Sequence, residues 1–195
     1  MRPAIVIAAG GAGTRIGGAK ADRLLAGQRL LDWVVSWARR HGDAIAIAGS
    51  AASISGPSSL PVLADREEGV GPVAALYTAM LHAQMHGFSE VLLVGCDMPF
   101  LPDDLVPRLQ VTRGELGVAL PSVAGRLEPL AGLWRCDPEG LKQWMDAGGR
   151  SLRGFADHAG LATLDWPRRM HDPFFNINTP DDLAAAEARL TAEER

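Results

Sequence analysis

Ala4-Ile-Val-Ile-Ala-Ala-Gly-Gly-Ala-Gly-Thr-Arg-Ile-Gly-Gly-Ala-Lys20 is the stretch on which the reading of this chain turns. The apolar run Ala4–Ala9 predicts a short buried strand. It opens into five glycines (Gly10, Gly11, Gly13, Gly17 and Gly18) that enclose Arg15, and Lys20 closes the segment. Glycine lets backbone N–H groups approach an anion without interference from a Cβ, and two cations add charge neutralisation. Such a turn suits a triphosphate held over the end of a parallel sheet. Two familiar phosphate loops are excluded. The P-loop needs Ser or Thr after its lysine to hold Mg²⁺, and Ala21 follows Lys20. The dinucleotide fingerprint places its third glycine one residue earlier than Gly17 and has a small residue where Arg15 stands.

Outward from this turn, strand and helix patterns alternate. Ala44–Ala48, Leu60–Ala64 and Val91–Gly95 read as strands, Leu30–His41 and Pro72–His86 as helices, and Leu101-Pro-Asp-Asp-Leu105 as the start of another helix. After Gln110 the pattern changes. Gly117–Val123 and Arg126–Trp134 predict two strands about Ala124-Gly125, read as a β-hairpin insertion that contacts a second substrate. Leu141–Ala147 and Leu152–Ala159 predict helices, Leu161–Trp166 a last strand, and Thr179-Pro-Asp-Asp a capped helix start. The expected architecture is a single α/β domain over residues 1–195, doubly wound around a mostly parallel, Rossmann-like sheet. Residues 1–110 would form its nucleotide-binding half and 111–195 its acceptor-binding half.

Composition narrows the function classes. The chain has 195 residues, 47% hydrophobic and 22% charged, with a net charge of −4. That balance argues against broad binding to nucleic acid or a membrane surface, so an anionic substrate needs a local cationic site. Arg15, Lys20, Arg126 and Arg150 are the cations to inspect. Two distant cysteines, Cys96 and Cys136, have no metal-ligand spacing. No apolar run approaches the roughly 18 residues that span a bilayer, and no leader pattern is visible, so a cytoplasmic location is expected.

Asp97 follows the buried strand Val91–Gly95 and would face the same crevice as the glycine turn. It suits Mg²⁺, which takes one or two carboxylates and fills its shell with water and phosphate oxygens; the other reading is a helix cap. Asp65 ends the strand before it, as a nucleoside contact or a turn former. Gly69-Val-Gly71-Pro72 is either a backbone approach to a base or a tight turn. Asn176 and Asn178 alternate, which puts both amides on one face of an extended segment. They order phosphate or water there, or they cap the final helix. No nucleophile–base pair is present in the sequence pattern. That agrees with attack by a substrate phosphate, already an anion, which needs positioning and charge neutralisation.

Together these segments resemble the nucleotidyltransferases that add a nucleotide to a molybdopterin, and most closely their guanylyltransferases. The resemblance rests on Ile7-Ala-Ala-Gly-Gly through Lys20, Gly71-Pro-Val-Ala-Ala, Cys96-Asp-Met-Pro-Phe-Leu-Pro, Arg126-Leu-Glu-Pro-Leu and Asn176-Ile-Asn-Thr-Pro-Asp-Asp-Leu, and it covers nearly the whole chain. It implies GTP contact by the backbone of Ala8, Ala9 and Gly10 and by Lys20 and Asp65. With the second cation of the glycine turn, the residues expected to carry catalysis are Arg15, Lys20 and Asp97. Asp97 would contact GTP and Mg²⁺, and Arg150, Asn176 and Asn178 would lie on the pterin-phosphate side. The implied reaction joins GTP and molybdenum-molybdopterin, giving the guanine dinucleotide cofactor and pyrophosphate, with cofactor-delivery proteins and molybdoenzymes as partners. Three departures stand out. Ala19 occupies the place of an aspartate, with the glycine-to-lysine spacing one residue shorter, which resembles the cytidylyl branch; Ser50 stands near a missing asparagine; and Glu128 replaces a histidine. A cytidylyltransferase, or a nucleotide-binding protein without turnover, are the alternatives.

Overall fold

The computed structural model describes residues 2–10, 20–49, 54, 59–64, 71–167 and 171–193. Arg15, Asp65 and most of the glycine turn lie outside these residues. Ala4–Ala8 forms strand β1, flanked in parallel by β4 (Ala44–Ala48) and β6 (Glu90–Gly95). Between β1 and β4 the chain makes the small hairpin β2 (Leu24–Leu25) and β3 (Gln28–Arg29), then helix α1 (Leu30–His41). Strand β5 (Val62–Leu63) adds to β4, and helix α2 (Pro72–Met85) leads to β6.

The second half continues with α3 (Leu105–Arg113), β7 (Val118–Val123), β8 (Arg126–Leu127) and β9 (Ala131–Arg135). Helices α4 (Pro138–Asp146) and α5 (Leu152–Ala159), strand β10 (Leu161–Trp166) and helix α6 (Pro180–Glu193) complete it. Among the described residues the main sheet runs β5-β4-β1-β6-β9-β7-β10, with β8 paired to β7.

The doubly wound, mostly parallel sheet is therefore present. Only its hairpin segment sits differently from the expectation of an insertion. The tip exists, with Ser122 opposite Leu127 and Val123 opposite Arg126, but the strands run on into the main sheet. β9 lies antiparallel between β6 and β7. The reason is burial on both faces: Val118–Val123 is buried at every position and Ala131–Trp134 likewise, so neither strand has a side that suits water.

Alternation along each strand feeds two cores. Ile5, Ile7, Ile47, Leu92 and Val94 point to one face, where α1 and α3 cover them with Leu31, Val34, Trp37, Leu105 and Leu109. Ala4, Val6, Ala46, Val91 and Leu93 point to the other, under Leu76 and Met80 of α2 and Phe155 of α5. Each fully buried Val, Leu or Ile contributes about 1.5–3 kcal/mol relative to exposure, which makes this two-sided burial the dominant stabilising term.

The path of the chain also locates a cleft. From β1 the sheet grows first toward β4 and β5, then returns to place β6 on the opposite side of β1. Ligands of open α/β sheets bind outside the carboxyl ends of strands where this order reverses. Here that point is the shared end of β1 and β6, where Ala8 meets Gly95 in register.

Candidate active site

At the end of β1, Ala8 is half-buried, Ala9 is buried and Gly10 is exposed. The Ala8 carbonyl accepts from the Cys96 N–H at 3.1 Å, and the Ala9 N–H donates to the Ala48 carbonyl at 2.8 Å. Three strand ends are thereby tied together, and Gly10 leads out of them into the crevice. Of the three backbone contacts expected for a nucleotide, the Ala9 N–H is already committed to the sheet.

Asp97 stands just beyond β6 and is 6% exposed. Gly95 permits this: a Cβ there would strike the Asp97 carboxylate oxygen, so the missing side chain lets the acid fold back over the strand end. Cys96, beside it, is a buried small hydrophobe. Burial first, and the Asp97 charge second, push its thiol up to about 12, so it remains protonated at neutral pH.

Lys20 opens a single turn of 3-10 helix, Lys20–Asp22, and reaches back across the crevice. Its ammonium forms a salt bridge with the Asp97 carboxylate and donates to Asn178 Oδ1 at 2.5 Å. Residues 20, 97 and 178 thus meet around one cation. The backbone reinforces the contact, since the Ile177 N–H donates to the Asp97 carbonyl at 3.1 Å.

The extended segment before α6 alternates as its sequence implies. Ile177 is fully buried in a third apolar cluster with Leu25, Leu30 and Ala186, while Asn178 is exposed to the crevice. Asn176 is half-buried, and its amide donates to the Phe174 carbonyl at 3.1 Å. Only Asn178 of the pair contacts Lys20. The helix start is a reciprocal cap: Thr179 Oγ1 accepts from the Asp182 N–H, and the Asp182 carboxylate accepts from the N–H groups of Asn178 and Thr179. Burial would raise the Asp182 carboxyl, but those bonds and the Lys20 charge outweigh it and hold it below its ordinary value.

Arg150 is not brought to this group. Its Nη1 donates to the carbonyls of Met145 and Gly149 at 2.6 and 2.7 Å, closing the end of α4. Two features escaped the sequence reading. The hairpin β2–β3, which carries the chain from Lys20 into α1, turns on Ala26 and Gly27, both with positive φ. Its signal was a two-residue turn ending in glycine between Leu24-Leu25 and Gln28-Arg29. The second is a cluster of Arg126, Glu128 and Asp172, whose members are 46 residues apart at the extremes and share no local pattern.

A carboxylate at the end of a buried strand, an ammonium opposite it and an amide beside both can hold a divalent cation and neutralise phosphate oxygens. The MobA-like NTP transferase domain matches residues 5–161. A molybdenum cofactor guanylyltransferase from Cereibacter sphaeroides is 37% identical over 194 residues, covering 97% of this chain and 98% of that protein. The one from Rhizobium leguminosarum bv. trifolii is 35% identical over 197 residues, covering 96% and 92%. Among solved structures, the molybdopterin-guanine dinucleotide biosynthesis protein A of Archaeoglobus fulgidus superimposes with a TM-score of 0.76 at 24% identity, covering 97% of this chain and 99% of that one. A 2-C-methyl-D-erythritol 4-phosphate cytidylyltransferase from Thermus thermophilus has the same fold, with a TM-score of 0.72 at 21% identity over 98% and 100% of the two chains. The chain belongs to the MobA-like NTP transferase family, alongside the molybdenum cofactor guanylyltransferases.

Proposed function

We propose that this nucleotidyltransferase moves GMP from GTP to molybdenum-molybdopterin, forming the guanine dinucleotide cofactor and releasing pyrophosphate. The observation that carries the reading is Lys20, bonded to Asp97 and Asn178 at the point where the sheet order reverses. A phosphate oxygen of the acceptor attacks the α-phosphorus. One P–O bond forms as the bond to the β-phosphate breaks, and pyrophosphate leaves with the electron pair. No protein base is required, because the attacking group is an anion.

Asp97 is the residue that would hold Mg²⁺, and a bound Mg²⁺ supplies charge neutralisation along the triphosphate. Lys20 then exchanges its carboxylate partner for oxygens on the α-phosphate, where negative charge develops. Asn178 turns its amide toward the incoming phosphate, and the exposed Gly10 backbone marks the entry of the glycine turn. Arg15 keeps the catalytic role expected of a cation in the glycine turn, and Asp65 the GTP contact that the resemblance implies. Recipient molybdoenzymes and proteins that deliver the pterin are the partners this reaction calls for.

The test is incubation with each of the four NTPs, Mg²⁺ and molybdopterin, following pyrophosphate and the dinucleotide product. GTP alone should support turnover. Equal turnover with CTP would remove the guanine assignment, and no dinucleotide with any NTP would remove the acceptor. Asp97→Asn should abolish Mg²⁺-dependent pyrophosphate release while the melting transition stays cooperative; turnover near wild type would exclude Asp97 as the metal ligand.

A further inference from the structure

Glu128 lies on the β6 side of the crevice, away from β4 and β5, in the turn that joins β8 to β9. Its backbone is pinned on both sides: its N–H donates to the Pro121 carbonyl at 2.9 Å, and its carbonyl accepts from the Ala131 N–H at 3.0 Å. The side chain is only 6% exposed, yet Oε1 has no hydrogen-bond partner. Arg126 Nη2 stands 2.9 Å from that oxygen but donates to Asp172 Oδ2 at 2.6 Å. The other Asp172 oxygen accepts from the Phe174 N–H at 2.8 Å. Asp172 is therefore committed at both oxygens, whereas Glu128 is not. Glu128 Oε1 has an ion pair with Arg126 but no hydrogen bond, so its accepting capacity is only partly met, and a ligand that supplies the missing donor completes it.

The same extended segment that holds Asp172 delivers Asn178 to Lys20 six residues later, a reach of at most about 20 Å. An acceptor whose phosphate meets Lys20 and Asn178 reaches the Arg126–Glu128 pair if it extends along this segment. We propose that Glu128 and Arg126 bind the 2-amino-4-oxopyrimidine edge of the acceptor's pterin ring. Glu128 accepts from the ring N–H and the adjacent amino group, and Arg126 donates to the ring carbonyl. Guanine carries the same edge, but the nucleotide half of the sheet, β1, β4 and β5, lies on the opposite side of β6. The inference rests on the reaction proposed above.

The chemistry of Glu128 gives the inference a sign. Burial pushes its carboxyl up to about 7; Arg126 opposes the rise and Asp172 adds to it. The ionised form accepts from both ring donors, and the protonated form carries a competing hydrogen. Acceptor binding therefore tightens as pH rises through about 7. The acceptor's own phosphate titrates near 6 and contributes equally in wild type and in Glu128→Gln, so the difference between the two isolates Glu128.

The decisive measurement is steady-state GMP transfer between pH 6 and 8, with separate KM values for GTP and molybdopterin, in wild type, Glu128→Gln and Arg126→Ala. Both variants should raise the molybdopterin KM by about tenfold, the scale of one charged hydrogen bond, with the GTP KM within about twofold. The pH dependence specific to wild type should vanish in Glu128→Gln. An unchanged molybdopterin KM in both variants, or a rise in the GTP KM alone, overturns the inference. The Arg126 side chain is 59% exposed, so Arg126→Ala keeps the test alive should Glu128→Gln fail to fold. Fluorescence titration of the GTP-loaded protein with 6-hydroxymethylpterin separates the two readings. Binding that depends on Glu128 without GMP transfer in wild type would sink the reaction alone, and normal transfer with binding indifferent to Glu128 would sink the pterin edge alone.

Discussion

Lys20 carries the largest share of the chemistry assigned to one side chain. Its ammonium is balanced by Asp97 and oriented by Asn178, which in the proposed reaction sets it where phosphoryl charge develops. Lys20→Ala is expected to lower kcat by about 10²–10³-fold, or about 2.7–4 kcal/mol of transition-state stabilisation, as for the loss of one preorganised donor. A rate constant within threefold of wild type would reduce Lys20 to a structural ion pair. The lysine and both partners were legible as separate sequence motifs. Their meeting was not, because residues 77 and 158 positions apart are joined only by the strand order. Arg150 illustrates the converse: the resemblance implied a place for it on the acceptor side, yet neighbouring carbonyls at the end of α4 take up its guanidinium.

At the scale of an element, α6 sets the position of Asn178. Its cap was readable from Thr179-Pro-Asp-Asp, since a hydroxyl followed three residues later by an acid satisfies an otherwise orphaned N–H group at each end of the pair. Thr179→Ala is expected to cost about 1 kcal/mol in urea denaturation at pH 7. Asp182 adds a pH signature. Its folded-state pKa is depressed, so its stabilisation is present above the unfolded carboxylate value of about 3.9 and is lost as pH falls through the lower folded value. The stability gap between wild type and Asp182→Asn should be full at pH 7 and close progressively below about pH 4. A gap that stays constant down to pH 2 would mean that the carboxylate charge takes no part in the cap. The hairpin β2–β3 was hidden because its strands are two residues each, too short for any periodicity to register.

Over the whole molecule, stability follows from the two-faced sheet. Leu93 is fully buried, opposite Val6 on one side and Gly132 on the other. Leu93→Ala should destabilise by about 2–5 kcal/mol with an unchanged denaturant slope, since the lost methyl groups leave a cavity that rigid neighbours fill only in part. A cost below about 1 kcal/mol would show that the layer under α2 collapses freely. Among the described residues no helix is long and apolar enough to cross a membrane.

Local pattern was enough for the alternation of strands and helices, the acid after β6 and the capped final helix. Each of these depends on neighbours within a few residues, through side-chain periodicity, backbone freedom or capping. Tertiary structure alone decided that β9 runs antiparallel inside the sheet and that Lys20, Asp97 and Asn178 share one contact. It also decided that Glu128 is buried beside Arg126 with an oxygen that has no hydrogen bond. Those outcomes depend on which strand lies beside which. Burial of both sheet faces selects that order over the whole chain, and no short window of residues contains it.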